Sequence, residues 1–232
     1  MTIFKLKQLA STSVHAAAGA IGWDQYYDRA ELIADGIVHA IGIILGLVAA
    51  TALVVLTAVY ATWLDILSVS IYVAGLLTML VLSATYNLWP VSRAKWVLRR
   101  FDHSAIYMLI AATYTPFVLA LPISVFSVAL LIGIWCVAIF GIVLKLLWPD
   151  RFGGFSLGLY LALGWSGIML YDWVAVLPKV ALWLVLAGGA LYSFGVIFHA
   201  WRRLRFQNAI WHGFVLLGAA CHYTAVLDLV LA

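Results

Sequence analysis

The stretch Gly36-Ile-Val-His-Ala-Ile-Gly-Ile-Ile-Leu-Gly-Leu-Val-Ala-Ala-Thr-Ala-Leu-Val-Val-Leu-Thr-Ala-Val-Tyr60 runs twenty-five residues with His39 as its only acidic or basic side chain. A helix needs about 20 apolar residues to cross the hydrocarbon of a bilayer, and this run exceeds that. It lacks the two-residue alternation of a barrel strand. Similar runs recur along the whole chain. Breaks at Pro, at charges and at Gly/Asp clusters divide it into spans at 35–60, 64–88, 102–120, 124–147, 155–172, 179–201 and 208–231. The sequence thus predicts an all-α, polytopic membrane protein, a seven-transmembrane-helix bundle. Residues 1–34 read as a cytoplasmic tail, in part an interfacial helix anchored by Trp23, Tyr26 and Tyr27, and residues 35–232 as the membrane domain.

Composition agrees. Of 232 residues, 66% are hydrophobic and only 9% charged, with a mean hydropathy of +1.11. A soluble domain carries about 25% charged residues, so a water-soluble fold is excluded. The net charge of +4 has a simpler use than nucleic-acid binding, since basic residues flanking spans set topology. Twelve of the thirteen Lys and Arg, among them Lys5, Lys7, Arg93, Lys95, Arg99, Arg100, Arg151 and Arg205, fall on one side of the spans, against Lys179 on the other. Basic residues stay cytoplasmic. The amino terminus is therefore expected inside and the carboxyl terminus outside. Cys136 and Cys221 lie in apolar runs and read as small buried hydrophobes without a disulfide or metal framework.

Ionisable residues within membrane helices are costly and mark candidate functional sites. Glu31, Asp35 and His39 are spaced four apart and share one helix stripe, as do Ser83 and Asn87. Asp102, His103 and Ser104 stand at the start of the third apolar run, Asn208 and His212 at the start of the seventh, and His199 at the end of the sixth. The alternating chain direction brings all of them to the cytoplasmic end. Single residues have structural readings: Asp102 suits a helix start, and Asn208 could cap the seventh helix. His222 lies deeper. With Ser166 in Gly164-Trp165-Ser166-Gly167 it raises a Ser–His dyad, but that string is weak in a chain with 18 glycines.

At these residues the sequence resembles the haemolysin III branch of the progestin and adipoQ receptor family, related to adiponectin receptors. The resemblance rests on Glu31 to Gly42, Ser83-Ala-Thr-Tyr-Asn87, Phe101-Asp102-His103 with Thr113-Tyr-Thr-Pro116, and Gln207-Asn208-Ala-Ile-Trp-His212, followed by Ala219-Ala-Cys-His222. It implies a zinc held by a His ending helix two and a His-x-x-x-His pair opening helix seven. Here Asn87 and Asn208 stand at two of those positions and only His212 keeps its imidazole. An amide is a poor zinc ligand. Asp102 matches the position that the resemblance assigns to orienting a metal-bound water.

Two arrangements follow. In one, His212, Asp102 and His39 or His103 regroup around a weakly held ion. In the other, Asn87 and Asn208 bond to each other, to His212 or to Ser83, and a polar network replaces the metal; joint loss of two ligands favours this one. The leading expectation is a haemolysin III-type protein of lipid and membrane homeostasis in the bacterial inner membrane, with membrane lipids or a lipid-like ligand as partners. The alternatives are a metal-dependent lipid amide hydrolase, with Asp102 as base and Ser83 as a hydrogen-bonding partner, and a pore. The pore is weakened by the sparse polar residues of the outer half.

Overall fold

A computed structural model describes residues 27–149, 153–167 and 177–232. The expected tail anchors Trp23 and Tyr26, the basic Lys5, Lys7 and Arg151, and the end of the fifth span with its connector fall outside the described residues. Among those described, the chain forms seven helices: α1 Arg29–Tyr60, α2 Trp63–Leu88, α3 Arg93–Leu119, α4 Val125–Leu147, α5 Gly153–Trp165, α6 Lys179–Ala200 and α7 Gln207–Leu231. Five of them, α1, α2, α4, α6 and α7, are long and apolar enough to cross a membrane.

The helix starts follow from local chemistry. In α1, Asp28 and Glu31 form a reciprocal capping box: Glu31 N donates to Asp28 Oδ1 and Asp28 N to Glu31 Oε2, both at 2.8 Å. The helix therefore begins at Arg29, and residues 29–34, assigned to the tail by hydropathy, form its first turns. The Glu31 amide and then the Arg205 guanidinium hold the Asp28 carboxyl below its ordinary range. Thr62 with Asp65 caps α2, and Ser124 with Ser127 caps α4. Helix α6 starts after Pro178 without a cap of its own, and Asp228 at the far end of α7 accepts from Ala181 N at 3.0 Å instead.

The structure departs from the sequence expectation at the third helix and at Cys136. The third helix begins at Arg93, capped by Ser92, nine residues before the apolar run at 102. Arg93, Lys95, Arg99 and Arg100 are thus helical rather than in a connector, because hydropathy marks where a helix enters lipid and not where it starts. Asp102 consequently lies well inside α3 and cannot act on the helix start. Cys136 is exposed on the outer face of α4 and not buried, while Cys221 is half-buried; both are free thiols.

Successive helices pack side by side from α1 to α4, α6 packs on α7, and α7 returns to α1. That return closes the bundle and brings the starts of α1 and α7 to the end of α2. The core holds Leu53, Val69, Tyr72, Leu76, Met79 and Val226. Ile33, Ile44, Val48, Val55, Ile132 and Trp183 face outward, an arrangement suited to acyl chains rather than water. Close approach uses small residues: Gly75 meets Ala112 between α2 and α3, and Gly141 lies against the ring of Tyr107 between α3 and α4.

Tyr107 is fully buried, packs against Tyr160 with centroids 4.3 Å apart and the rings tilted by 49°, and donates to Ser156 O at 3.4 Å, so its ring has little room to retreat. Gly141→Ala is expected to destabilise the bundle by about 1–3 kcal/mol. Gly133→Ala, which faces open space on the same helix, should be neutral or slightly stabilising. Melting curves in one detergent check the pair.

Candidate functional site

The site is built around Asp35. Two turns into α1 its side chain is buried, at 3% exposure, and a carboxylate so placed needs donors. It finds them on α7. Asn208 Nδ2 donates to Asp35 Oδ2 at 2.9 Å, and His212 Nδ1 donates to Asp35 Oδ1 at 2.6 Å, a short charge-assisted bond. Asn208 Nδ2 also donates to Asn87 Oδ1 on α2 at 3.0 Å. Both neighbours of that amide nitrogen are acceptors, which fixes the orientation of the Asn208 side chain. One buried carboxylate thus ties α1 to α7 directly and to α2 through an amide.

His39 lies one turn below Asp35. Its Nδ1 faces the Asp35 backbone carbonyl at 2.9 Å, with the Asp35 carboxylate at 3.6 Å. A carbonyl only accepts, so Nδ1 carries the proton and Nε2 of the neutral ring is an acceptor. Nε2 meets Ser83 Oγ at 3.3 Å. The His39 and His212 rings meet edge to face with centroids 4.4 Å apart. Asn87 Nδ2 donates to Ser83 O at 2.9 Å and approaches Ser83 Oγ at 3.4 Å. A cavity of about 20 Å³ adjoins this cluster, with His39, Ser83 and His212 on one side and Val38, Leu80 and Leu216 on the other.

The remaining sequence-expected residues lie around this centre. Glu31 serves the backbone: besides capping α1, its Oε1 accepts from Phe206 N at 3.0 Å, beside the left-handed turn at Phe206 that opens α7. Arg205 pairs with Asp28 at 3.1 Å. Phe206, and not Asn208, occupies the cap position of α7; Asn208 is spent on Asp35 and Asn87. Asp102 sits 3.5 Å from His103 Nδ1, and that nitrogen donates to Arg99 O at 2.8 Å. Neither belongs to the compact group formed by Asp35, His39 and His212. The ring of His199 rests on Trp211 at 5.0 Å. Ser166 bonds to Leu163 O and Tyr114, whereas His222 faces Val185 O, so the two do not form a dyad.

Sequence reasoning did not anticipate Lys95, whose Nζ donates to Asn87 O and Trp89 O and so closes the end of α2 beneath Asn87. A Lys a few residues past a helix end was the available signal. Tyr27, read from the sequence as an interfacial anchor, stands near the site, where burial first, then Tyr86, Asp35 and Glu31, push the phenol up to about 12.

This geometry can be set beside known proteins. The family model described as haemolysin-III related matches residues 30–223. The chain belongs to the haemolysin-III related family. It is 38% identical over 198 residues to a hemolysin-3 homolog of Bacillus subtilis (strain 168), covering 85% of this chain and 93% of that one. It is 37% identical over 205 residues to hemolysin-3 of Bacillus cereus, covering 87% and 92%. The heptahelical transmembrane protein ADIPOR2 of Oryza sativa subsp. japonica is 27% identical over 180 residues, covering 67% of this chain and 79% of that one. No solved structure matches.

The zinc that the resemblance implies for this haemolysin-III protein does not fit positions 87, 208 and 212. Asn208 turns its amide nitrogen, which has no lone pair to give, into the site, and the oxygen of Asn87 is taken by that nitrogen. A different set has suitable chemistry: Asp35, His39 and His212 each offer one ligand atom, all within 4.8 Å of one another.

Removing the central amide isolates two acceptors. Asn208→Ala leaves Asp35 Oδ2 and Asn87 Oδ1 without their donor, at an expected cost of about 1–3 kcal/mol. Asn208→Gln, which retains the amide, should recover part of the loss. Detergent melting of the three proteins checks the order.

Proposed function

We propose that this haemolysin-III protein serves lipid homeostasis in a bacterial inner membrane, with its amino terminus in the cytoplasm, and that it holds a lipid-like ligand at the Asp35 site through hydrogen bonds rather than zinc. The observation that carries this reading is the cavity beside His39. One wall is polar and hydrogen-bonded; the other is aliphatic, given by Val38 of α1, Leu80 of α2 and Leu216 of α7, and the neighbouring Ile41 of α1 and Leu217 of α7 are exposed on the outer face. A molecule with a polar head group and an acyl tail matches both walls. The cavity holds about one water as it stands, so a ligand must part α1 and α7 to enter, and a lipid arriving from within the bilayer approaches from that side.

The Asp35, His39 and His212 group supports a second reading, in which these three hold a transition-metal ion. One preparation separates the two. Protein purified in mild detergent is examined by native mass spectrometry for bound lipid and by elemental analysis for metal. The first reading expects a lipid adduct, reduced by Leu216→Trp, and less than about a tenth of an equivalent of any transition metal. A full equivalent of metal, lost on Asp35→Asn, would establish the second. Absence of any lipid adduct would contradict the first.

A further inference from the structure

The cavity holds a pairing that the family resemblance does not supply. Ser83 Oγ stands 3.3 Å from His39 Nε2, and the opposite ring nitrogen is fixed as a donor by the Asp35 carbonyl at 2.9 Å. Nε2 is therefore the basic nitrogen, and it is aimed at a serine. This is the relation that activates a hydroxyl in acyl transfer: nucleophile, base, and a third group that sets the tautomer of the base.

The serine is also poised differently from several other hydroxyls of the bundle. Thr57, Thr85, Ser104, Thr113 and Ser193 each donate to the carbonyl four residues back on their own helix, at 2.6–2.8 Å. Ser83 leaves that bond unmade. Its hydroxyl meets His39 across the interface between α2 and α1, and the amide nitrogen of Asn87 stands 3.4 Å from the same oxygen. A donor on that oxygen leaves the hydroxyl proton of Ser83 directed at His39 Nε2. The aliphatic walls given by Val38, Leu80 and Leu216 adjoin the pair.

The geometry points to Ser83 as an acyl-accepting nucleophile and His39 as its base, acting without a metal on the carbonyl of a fatty-acyl ester or amide. Ser83 Oγ bonds to the acyl carbon as its proton passes to His39 Nε2. The carbon–oxygen or carbon–nitrogen bond to the head group then breaks, and the departing alcohol or amine takes that proton. Water repeats the sequence on the acyl-serine: it loses a proton to His39, bonds to the acyl carbon, and Ser83 leaves with the proton restored. The products are a fatty acid and the free head group.

This inference rests on the lipid reading above, and its test separates the two. The full-length protein in lipid nanodiscs is treated with an alkyl fluorophosphonate, with and without a metal chelator, and the modified residue is located by peptide mass spectrometry. Modification at Ser83, unchanged by the chelator, is expected. Ser83→Ala should abolish it, His39→Gln should slow it at least about 100-fold, and Ser104→Ala should leave it unchanged. Unmodified wild-type protein, modification elsewhere, or loss of reaction on chelation would overturn the inference. Bound lipid measured on the same samples tells which idea has failed: a lipid-bound but unreactive protein overturns the nucleophile alone, and a lipid-free, unreactive one overturns both.

Discussion

A carboxylate buried in a helix bundle within lipid has no water to turn to, and the arrangement of this end of the molecule answers that constraint. Asp35 draws the His212 imidazole and the Asn208 amide onto itself, and Asn208 in turn reaches Asn87. Helices far apart in sequence are registered against one another at a single depth. The contacts at the rim, Glu31 with Phe206 N and Asp28 with Arg205, hold the opening turns of α1 and α7 together above it. Polar groups thus specify which helices meet, while small residues such as Gly75 and Gly141 let their backbones approach. The acyl-facing surface is left predominantly apolar.

The same hub explains how this member of the haemolysin-III family can dispense with the ligand set that its resemblance implies. A metal at positions 87, 208 and 212 would demand lone pairs from each. The two asparagines instead present one donor and one acceptor to each other, and Asp35 supplies the negative charge that orients His212. With Asp35, its backbone carbonyl included, anchoring both rings, the cavity lies between two imidazoles of fixed tautomer, a serine and an aliphatic wall. That is a chemical setting for a polar carbonyl on a greasy tail.

Much of this was legible in the residues. Long uncharged runs announced the helices, and the i, i+4 pairs Asp35 with His39, Ser83 with Asn87 and Asn208 with His212 announced their convergence. The bond between Asn87 and Asn208 was among the arrangements expected. The central position of Asp35 was not, because a helical stripe shows which residues share a face but not which of them a neighbouring helix reaches. Hydropathy misplaced the starts of α1 and α3 for a related reason: the Asp28–Glu31 box and the Ser92 cap begin helices in polar sequence, where an apolarity scale is blind. It likewise could not tell that Cys136 looks outward, since inner and outer faces are equally apolar in lipid. Asp102, prominent through the resemblance, stands beside His103, and nothing in its spacing could have distinguished that placement from one beside His212.

The central claim is that Asp35 and His212 act as one unit within the bundle. A double-mutant cycle with Asp35→Asn and His212→Gln, read as unfolding free energy by detergent titration, tests it most directly. The short bond at 2.6 Å calls for a coupling energy above about 1 kcal/mol. Losses that simply add, to within about 0.3 kcal/mol, would show that the two side chains do not depend on each other and would contradict the account.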